Sequence, residues 1–302
     1  MLENVYFWKN KNGGGGALNI IIIALVLIVL CAAGGGGGWY YFVKIPADQQ
    51  AEQKQREIQE RQSNIASVKD YYAKSLSGAD FDKAIAVLGE IRKGIYPIDS
   101  LMSLESRSFS CDNKKCNLNL KLDKDALLTQ PELIFWDKPY KASVPIAKKG
   151  KNEKYDLEYS NLDSKMTGSK ILAAYKSGSK DLGLYSCNDI MSYVNTYNSL
   201  VKRGKGGSSK NTDEMLVIKS APNSKVADLE KTLVGSVKRY DMLSGSWEMT
   251  TQSSSSHVLD MMNELNLQTL LYKQAYKDAF LVNKIETLKN GIKVSGGLVC
   301  KG

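Results

Sequence analysis

Asn117-Leu118-Asn119-Leu120-Lys121-Leu122 alternates polar and apolar side chains without a break. Successive side chains of a strand point to opposite faces, so this period of two specifies one buried face and one wet face. Upstream lies a second alternating stretch, Leu104 to Ser110, and the polar turn Asp112-Asn113-Lys114-Lys115 separates the two. Together they predict a β-hairpin. Cys111 and Cys116 flank the turn, and a disulfide between them would clip the hairpin end to end. Before the hairpin, Asp80 is placed to cap a helix with Phe81, Ile85, Leu88 and Ile91 on one face, ending near Gly94 and Pro97.

The same order recurs near the end of the chain. Ser253 to Ser256 lead into a helix with Val258, Met261, Met262 and Leu265 on one side. Phe280 to Leu288, the turn Asn290-Gly291, and Ile292 to Cys300 then form a second hairpin, because Asn-Gly supplies the positive φ values a tight turn needs. Helix then hairpin at 80–122 and again at 256–300 predicts two small α+β units with antiparallel hairpins, divided as 77–185 and 186–302.

Between them, Pro131, Pro139 and Pro145 punctuate short strands around Leu133-Ile134-Phe135-Trp136, and Tyr155 to Tyr159 alternates as another strand. Ser186-x-x-Asp189 opens a helix whose Ile190, Tyr193, Val194, Tyr197, Leu200 and Val201 follow helical spacing. Its tyrosines read as core. Gly204 to Asn211 (GKGGSSKN) is a flexible loop at 204–211. A strand at Met215 to Lys219, a short helix from Val226 to Leu233 and a strand-like stretch from Val237 to Thr251 follow.

Ahead of these units, Pro46 opens a polar run, Ala47 to Ala73, with Glu52/Arg56 and Glu57/Arg61 spaced as favourable i,i+4 pairs. It predicts a helical stalk over 44–76. Ala51, Ile58, Ile65 and Tyr72 recur every seven residues as one contact row of a coiled coil, while the complementary row, Lys54, Arg61 and Val68, is mostly charged.

Residues 1–16 form a short head with Lys9 and Lys11 against Glu3. Ala17 to Ala33 (ALNIIIIALVLIVLCAA), continued past five glycines by Trp39-Tyr40-Tyr41-Phe42-Val43, carries no charge over 17–43. A hydrocarbon core about 30 Å thick needs roughly 20 such residues, so the stretch predicts a transmembrane helix. Trp39, Tyr40 and Tyr41 stand where an interfacial aromatic belt would, with Lys44 as a snorkelling anchor. Gly34-xxx-Gly38 has the spacing of close helix contact. The alternative is a signal sequence over 1–33, ending in Cys31-Ala32-Ala33. Leu30 before Cys31 argues against a lipoprotein, and Ile21 stands where a pilin leader has glutamate.

Of five cysteines, Cys31 lies in this apolar run and four beyond it. Cys187 opens a helix and Cys300 lies in the last strand, so a bond between them would close a long loop, worth about 4–5 kcal/mol in the loop-entropy model. An even count outside the apolar run suits an oxidising compartment. Four free thiols or a zinc site are the alternatives; one histidine in the chain and no C-x-x-C weigh against zinc. Within the next residues Lys44, Lys54, Arg56 and Arg61 oppose an N-in orientation by the positive-inside count, but long domains translocate regardless. The cysteines therefore place the N-terminus in the cytoplasm and the C-terminal bulk in a bacterial periplasm, a single pass through the inner membrane.

The formal charge is +9. Lysines interleave with acids, and the one dense basic patch, Lys202-Arg203-x-Lys205, closes a helix whose dipole prefers cations there. This argues against nucleic acid and for anionic lipid headgroups or acidic protein partners. His257, the sole histidine, has no nucleophile near it in sequence, and neither phosphate-loop nor dinucleotide-binding glycine motifs occur. Asp213-Glu214 is an acid pair in a loop. No enzyme, cofactor or metal is expected.

The short head, the span 17–43, the helix 47–73 and the units at 80–122 and 256–300 together resemble the PilO-like inner-membrane assembly proteins of type IVb and conjugative thin-pilus systems, related to type II secretion. The resemblance covers the whole chain in architecture. It implies ferredoxin-like units, homo- or hetero-oligomers with a sister protein, contact of the head with a platform protein, and mechanical coupling between a cytoplasmic motor and periplasmic parts. The competing expectation is a secreted or surface-anchored binding module such as an adhesin.

Overall fold

The computed structural model describes residues 22–31, 45–102, 104–123, 126, 132–144, 156–205, 212–252, 261–289 and 291–302. Two compact units divide the chain, Met1–Ser63 and Asn64–Gly302.

In the first unit, helix α1 covers 22–31 and α2 begins at Ile45, running to Ser75 in the second unit. These observations overturn the membrane reading. Among the described residues no helix is long and apolar enough to cross a membrane. Single-pass inner-membrane anchoring, with a cytoplasmic N-terminus and periplasmic bulk, therefore finds no support. The rest of 17–43, with Trp39, Tyr40 and Tyr41, and Lys44 after it, lies outside the described residues.

The second unit is α+β. Helix α3 (Phe81–Leu101) leads into strands β1 (Leu104–Asp112) and β2 (Lys115–Leu122). A two-stranded ribbon, β3 (Glu132–Phe135) and β4 (Lys138–Lys141), precedes β5 (Asp156–Asp163). Helices α4 (Lys170–Lys176) and α5 (Cys187–Gly204), strand β6 (Val217–Asn223), helix α6 (Ala227–Thr232) and strand β7 (Met242–Gln252) follow. The unit closes with α7 (Met261–Tyr272), β8 (Phe280–Leu288) and β9 (Gly291–Lys301).

Two separate ferredoxin-like units do not form. Seven antiparallel strands make one sheet in the order β5-β2-β1-β8-β9-β7-β6. The two expected hairpins are fused at its centre, where β1 pairs with β8 through Ser110↔Glu286, Cys111↔Ile285 and Asp112↔Lys284. A hairpin alone is marginal in water, and sharing one sheet lets both cover their apolar faces with one pair of helices. Helices α3 and α7 lie side by side on that face: Gln268 of α7 donates its amide to the Ile85 carbonyl of α3 at 3.1 Å.

The first core, between these helices and the sheet, buries Phe81, Leu88, Ile91, Ile95 and Leu271 against Leu118, Leu120, Ile285 and Val294. A second core covers the other face, where Val68 and Tyr72 of α2 and Leu76 just beyond it meet Ile171, Val226, Met242, Leu281 and Val299. Phe280-Leu281-Val282 shows the consequence. All three are fully buried, Phe280 and Val282 in the first core and Leu281 in the second. A strand covered on both sides reads as a continuous apolar run.

Helix α3 runs past Gly94 and Pro97, where sequence signals predict its end. Ile95 and Ile98 beyond the glycine are fully buried, which holds the last turns against the core despite the missing proline N–H. Gly94 serves a close approach instead: a Cβ there would lie 2.7 Å from the Ile134 carbonyl of β3.

Candidate functional site

The four cysteines beyond the N-terminal run form two disulfides, Cys111–Cys116 and Cys187–Cys300. The first spans the β1–β2 turn, where both Asp112 Oδ1 contacts, with the backbone N–H groups of Lys114 at 2.7 Å and Lys115 at 2.9 Å, hold the chain reversal. These bonds hold the Asp112 carboxyl below the usual carboxylate range. The second ties the first residue of α5 to β9. Among the described residues, no group of histidine, cysteine or acidic side chains could hold a metal ion. His257 and most of the 204–211 loop lie outside them.

The heptad row of α2 divides between two surroundings. Ala51 and Ile58 are exposed in the first unit, Ile58 by 56 %. Ile65 and Tyr72 pack into the second core of the second unit. Tyr72 is central there: its ring stacks on Tyr175 with centroids 5.1 Å apart and meets Tyr240 edge-on at 5.5 Å. Its hydroxyl donates to Oε1 of Glu230 on α6 at 2.5 Å. Beside it, the Tyr71 hydroxyl donates to the Asn223 carbonyl at 3.0 Å. Burial, and then the Glu230 carboxylate, push the Tyr72 phenol far above the ordinary tyrosine range.

Glu230 connects this cluster to the surface. It is 3 % exposed, yet it lines an open cleft of about 430 Å³ with Ser224, Ala227, Arg239, Asp241 and Met242. Burial pushes its carboxyl above the usual range; the Tyr72 hydroxyl opposes the shift, Asp241 reinforces it and Arg239 opposes it. Asp241 holds a left-handed backbone conformation, φ 51°, and accepts Nε of Arg239 on Oδ1 at 2.6 Å. A non-glycine residue held there costs of order 1–3 kcal/mol and concentrates at functional sites. The arrangement thus offers two acidic side chains, one buried and one at the surface, beside apolar wall.

No sequence signal marks Glu230 or Asp241, since they lie on different elements in an unremarkable polar stretch.

No protein-family model matches this chain, and neither a curated protein nor a solved structure matches it.

Proposed function

We propose that this chain is a structural component of a pilus or secretion machine that acts through protein–protein contacts in oxidising surroundings, without catalysis of its own. The observation that carries the reading is α2 in the first unit, where residues 48–63 are exposed at every position. A helix in water draws most of its stability from packing an apolar stripe, and isolated helices are marginal. Ala51 and Ile58 offer such a stripe, so a partner helix completes it. The charged remainder of the surface, with Glu52 and Arg56 at 3.8 Å, keeps the helix wet elsewhere.

The test is a photo-crosslinking side chain in place of Ile58 in the full-length chain, expressed in its native cells. A discrete crosslink to a second copy or to a pilus or secretion component is expected. Crosslinks absent at Ile58 and at Ala51 would remove the assembly reading.

The disulfides also favour a second reading, a secreted or surface-anchored binding module whose first 33 positions are removed. Intact mass of the native protein separates the two: a chain retaining its N-terminus fits the assembly component, and one beginning near Gly34 fits the secreted module.

A further inference from the structure

We propose that the exposed half of α2 docks a helix of a different protein that carries carboxylates on its contact row, and not a second copy of this chain. The inference rests on the assembly reading and adds the chemistry of the partner.

Helical spacing sets four exposed side chains, Ala51, Lys54, Ile58 and Arg61, on one face of α2. Ala51 and Ile58 make one contact row, and Lys54 and Arg61 make the complementary one. On the outer side of the helix Arg56 is engaged by Glu52 at 3.8 Å, whereas Lys54 forms no ion pair among the described residues. Lys54 therefore brings an unneutralised charge between the two apolar residues. Glu57 flanks the face one turn before Arg61 and supplies a carboxylate on that side, so the demand for an acid is sharpest at Lys54.

A second copy meets that demand in neither orientation. In a parallel pair Lys54 faces Lys54 and Arg61 faces Arg61 of the other copy. In an antiparallel pair over the exposed half, Lys54 lies against Ile58 and Arg61 against Ala51. Each charge then loses water to an apolar side chain without gaining an opposite charge. Every copy also carries a formal charge of +9, which opposes self-association and favours an acidic partner. A helix with leucine or isoleucine against Ala51 and Ile58, and glutamate or aspartate against Lys54 and Arg61, satisfies both rows.

The experiment measures binding of two synthetic heptad peptides to the purified full chain by fluorescence anisotropy. Both peptides have one contact row of leucine; the other row is glutamate in the first and lysine in the second. The glutamate peptide should bind saturably and about tenfold or more tighter than the lysine peptide at low salt, with the difference shrinking as salt is added. Lys54→Glu with Arg61→Glu should reverse the preference. Both substitutions stand at exposed positions, ahead of Ile65 where packing on the second core begins. In native cells the crosslink from Ile58 should join a different chain and fade in the neutral variant, Lys54→Gln with Arg61→Gln. A product joining two copies would overturn this proposal and leave the assembly reading standing, while no product from Ile58 or Ala51 would remove both. Equal binding of the two peptides, or a preference unchanged by the reversed variant, would also overturn the proposal.

Discussion

The Tyr72 hydroxyl and the Glu230 carboxylate meet at 2.5 Å although 158 positions separate them in sequence. The contact joins the last turns of α2 to α6 through the middle of the second core. Tyr72→Phe removes the donor and leaves a buried acid with fewer partners, which costs about 1–3 kcal/mol. Urea unfolding of the full chain should show a lowered midpoint at unchanged slope. Loss of less than half a kilocalorie per mole, marked by an unmoved midpoint, would mean the pair holds nothing together.

Glu230 also sets a pH dependence. Its carboxyl is raised in the folded state by burial, so between the ordinary carboxylate value and the raised one the native state binds more protons than the unfolded chain. Stability from this group is therefore greatest below that window and falls as pH rises through it. The charged and titratable groups facing it are Tyr72 from α2, Tyr175 from α4, and Asp241 and Arg239 before β7. Glu230→Gln removes the titration. Relative to the parent, this variant should gain stability as pH is raised from 4 to 8, read from unfolding midpoints at each pH; parallel curves would refute the assignment.

The disulfides should differ in weight. Cys187–Cys300 closes a separation of 113 and Cys111–Cys116 one of 5. In the loop-entropy model the long closure stabilises by about 2–3 kcal/mol more than the short one. Thermal unfolding of the paired alanine variants, Cys187→Ala with Cys300→Ala against Cys111→Ala with Cys116→Ala, should show the larger drop for the first pair.

Arg107 and Glu264 form an ion pair at 3.2 Å with side chains 6 % and 1 % exposed, fastening α7 to β1. Removing one partner leaves a buried charge, so Arg107→Ala should destabilise by about 3–5 kcal/mol. Replacing both, as Arg107→Met with Glu264→Leu, should recover most of that loss. A double variant as unstable as the single one would show that Glu264 depends on other contacts.

Gly296 of β9 sits where a Cβ would come within 1.8 Å of the Leu281 carbonyl. That carbonyl also accepts the Trp247 indole N–H at 3.1 Å, so it cannot retreat without breaking a buried bond. Gly296→Ala should cost about 3 kcal/mol or more, as overpacking with backbone displacement does. Ready accumulation of a folded variant with an unchanged melting temperature would contradict this.

Much of the local structure was legible without coordinates. The alternation of Asn117 to Leu122 implies a strand with one wet face, and β2 buries its leucines accordingly. Local sequence determines such features because side-chain period and turn chemistry act over a few residues. Gly94 and Pro97 misled for the same reason: locally they terminate a helix, while the buried Ile95 and Ile98 that carry it onward act through distant partners. The apolar run after Ala17 predicts a span, whereas among the described residues no helix is long and apolar enough to cross a membrane.

What the sequence by itself determined is the inventory: an α+β composition, two hairpins, a polar helix over 44–76 and four cysteines spaced for pairing. The tertiary structure decided how these combine. Whether two hairpins form separate sheets or one depends on the β1–β8 pairing, which joins Cys111 to Ile285 across the chain and has no local signature. The cleft follows from the same cause. Glu230 meets both Tyr72 and Asp241 only once α2, α6 and β7 close over the second core, because burial and charge proximity are properties of three-dimensional packing.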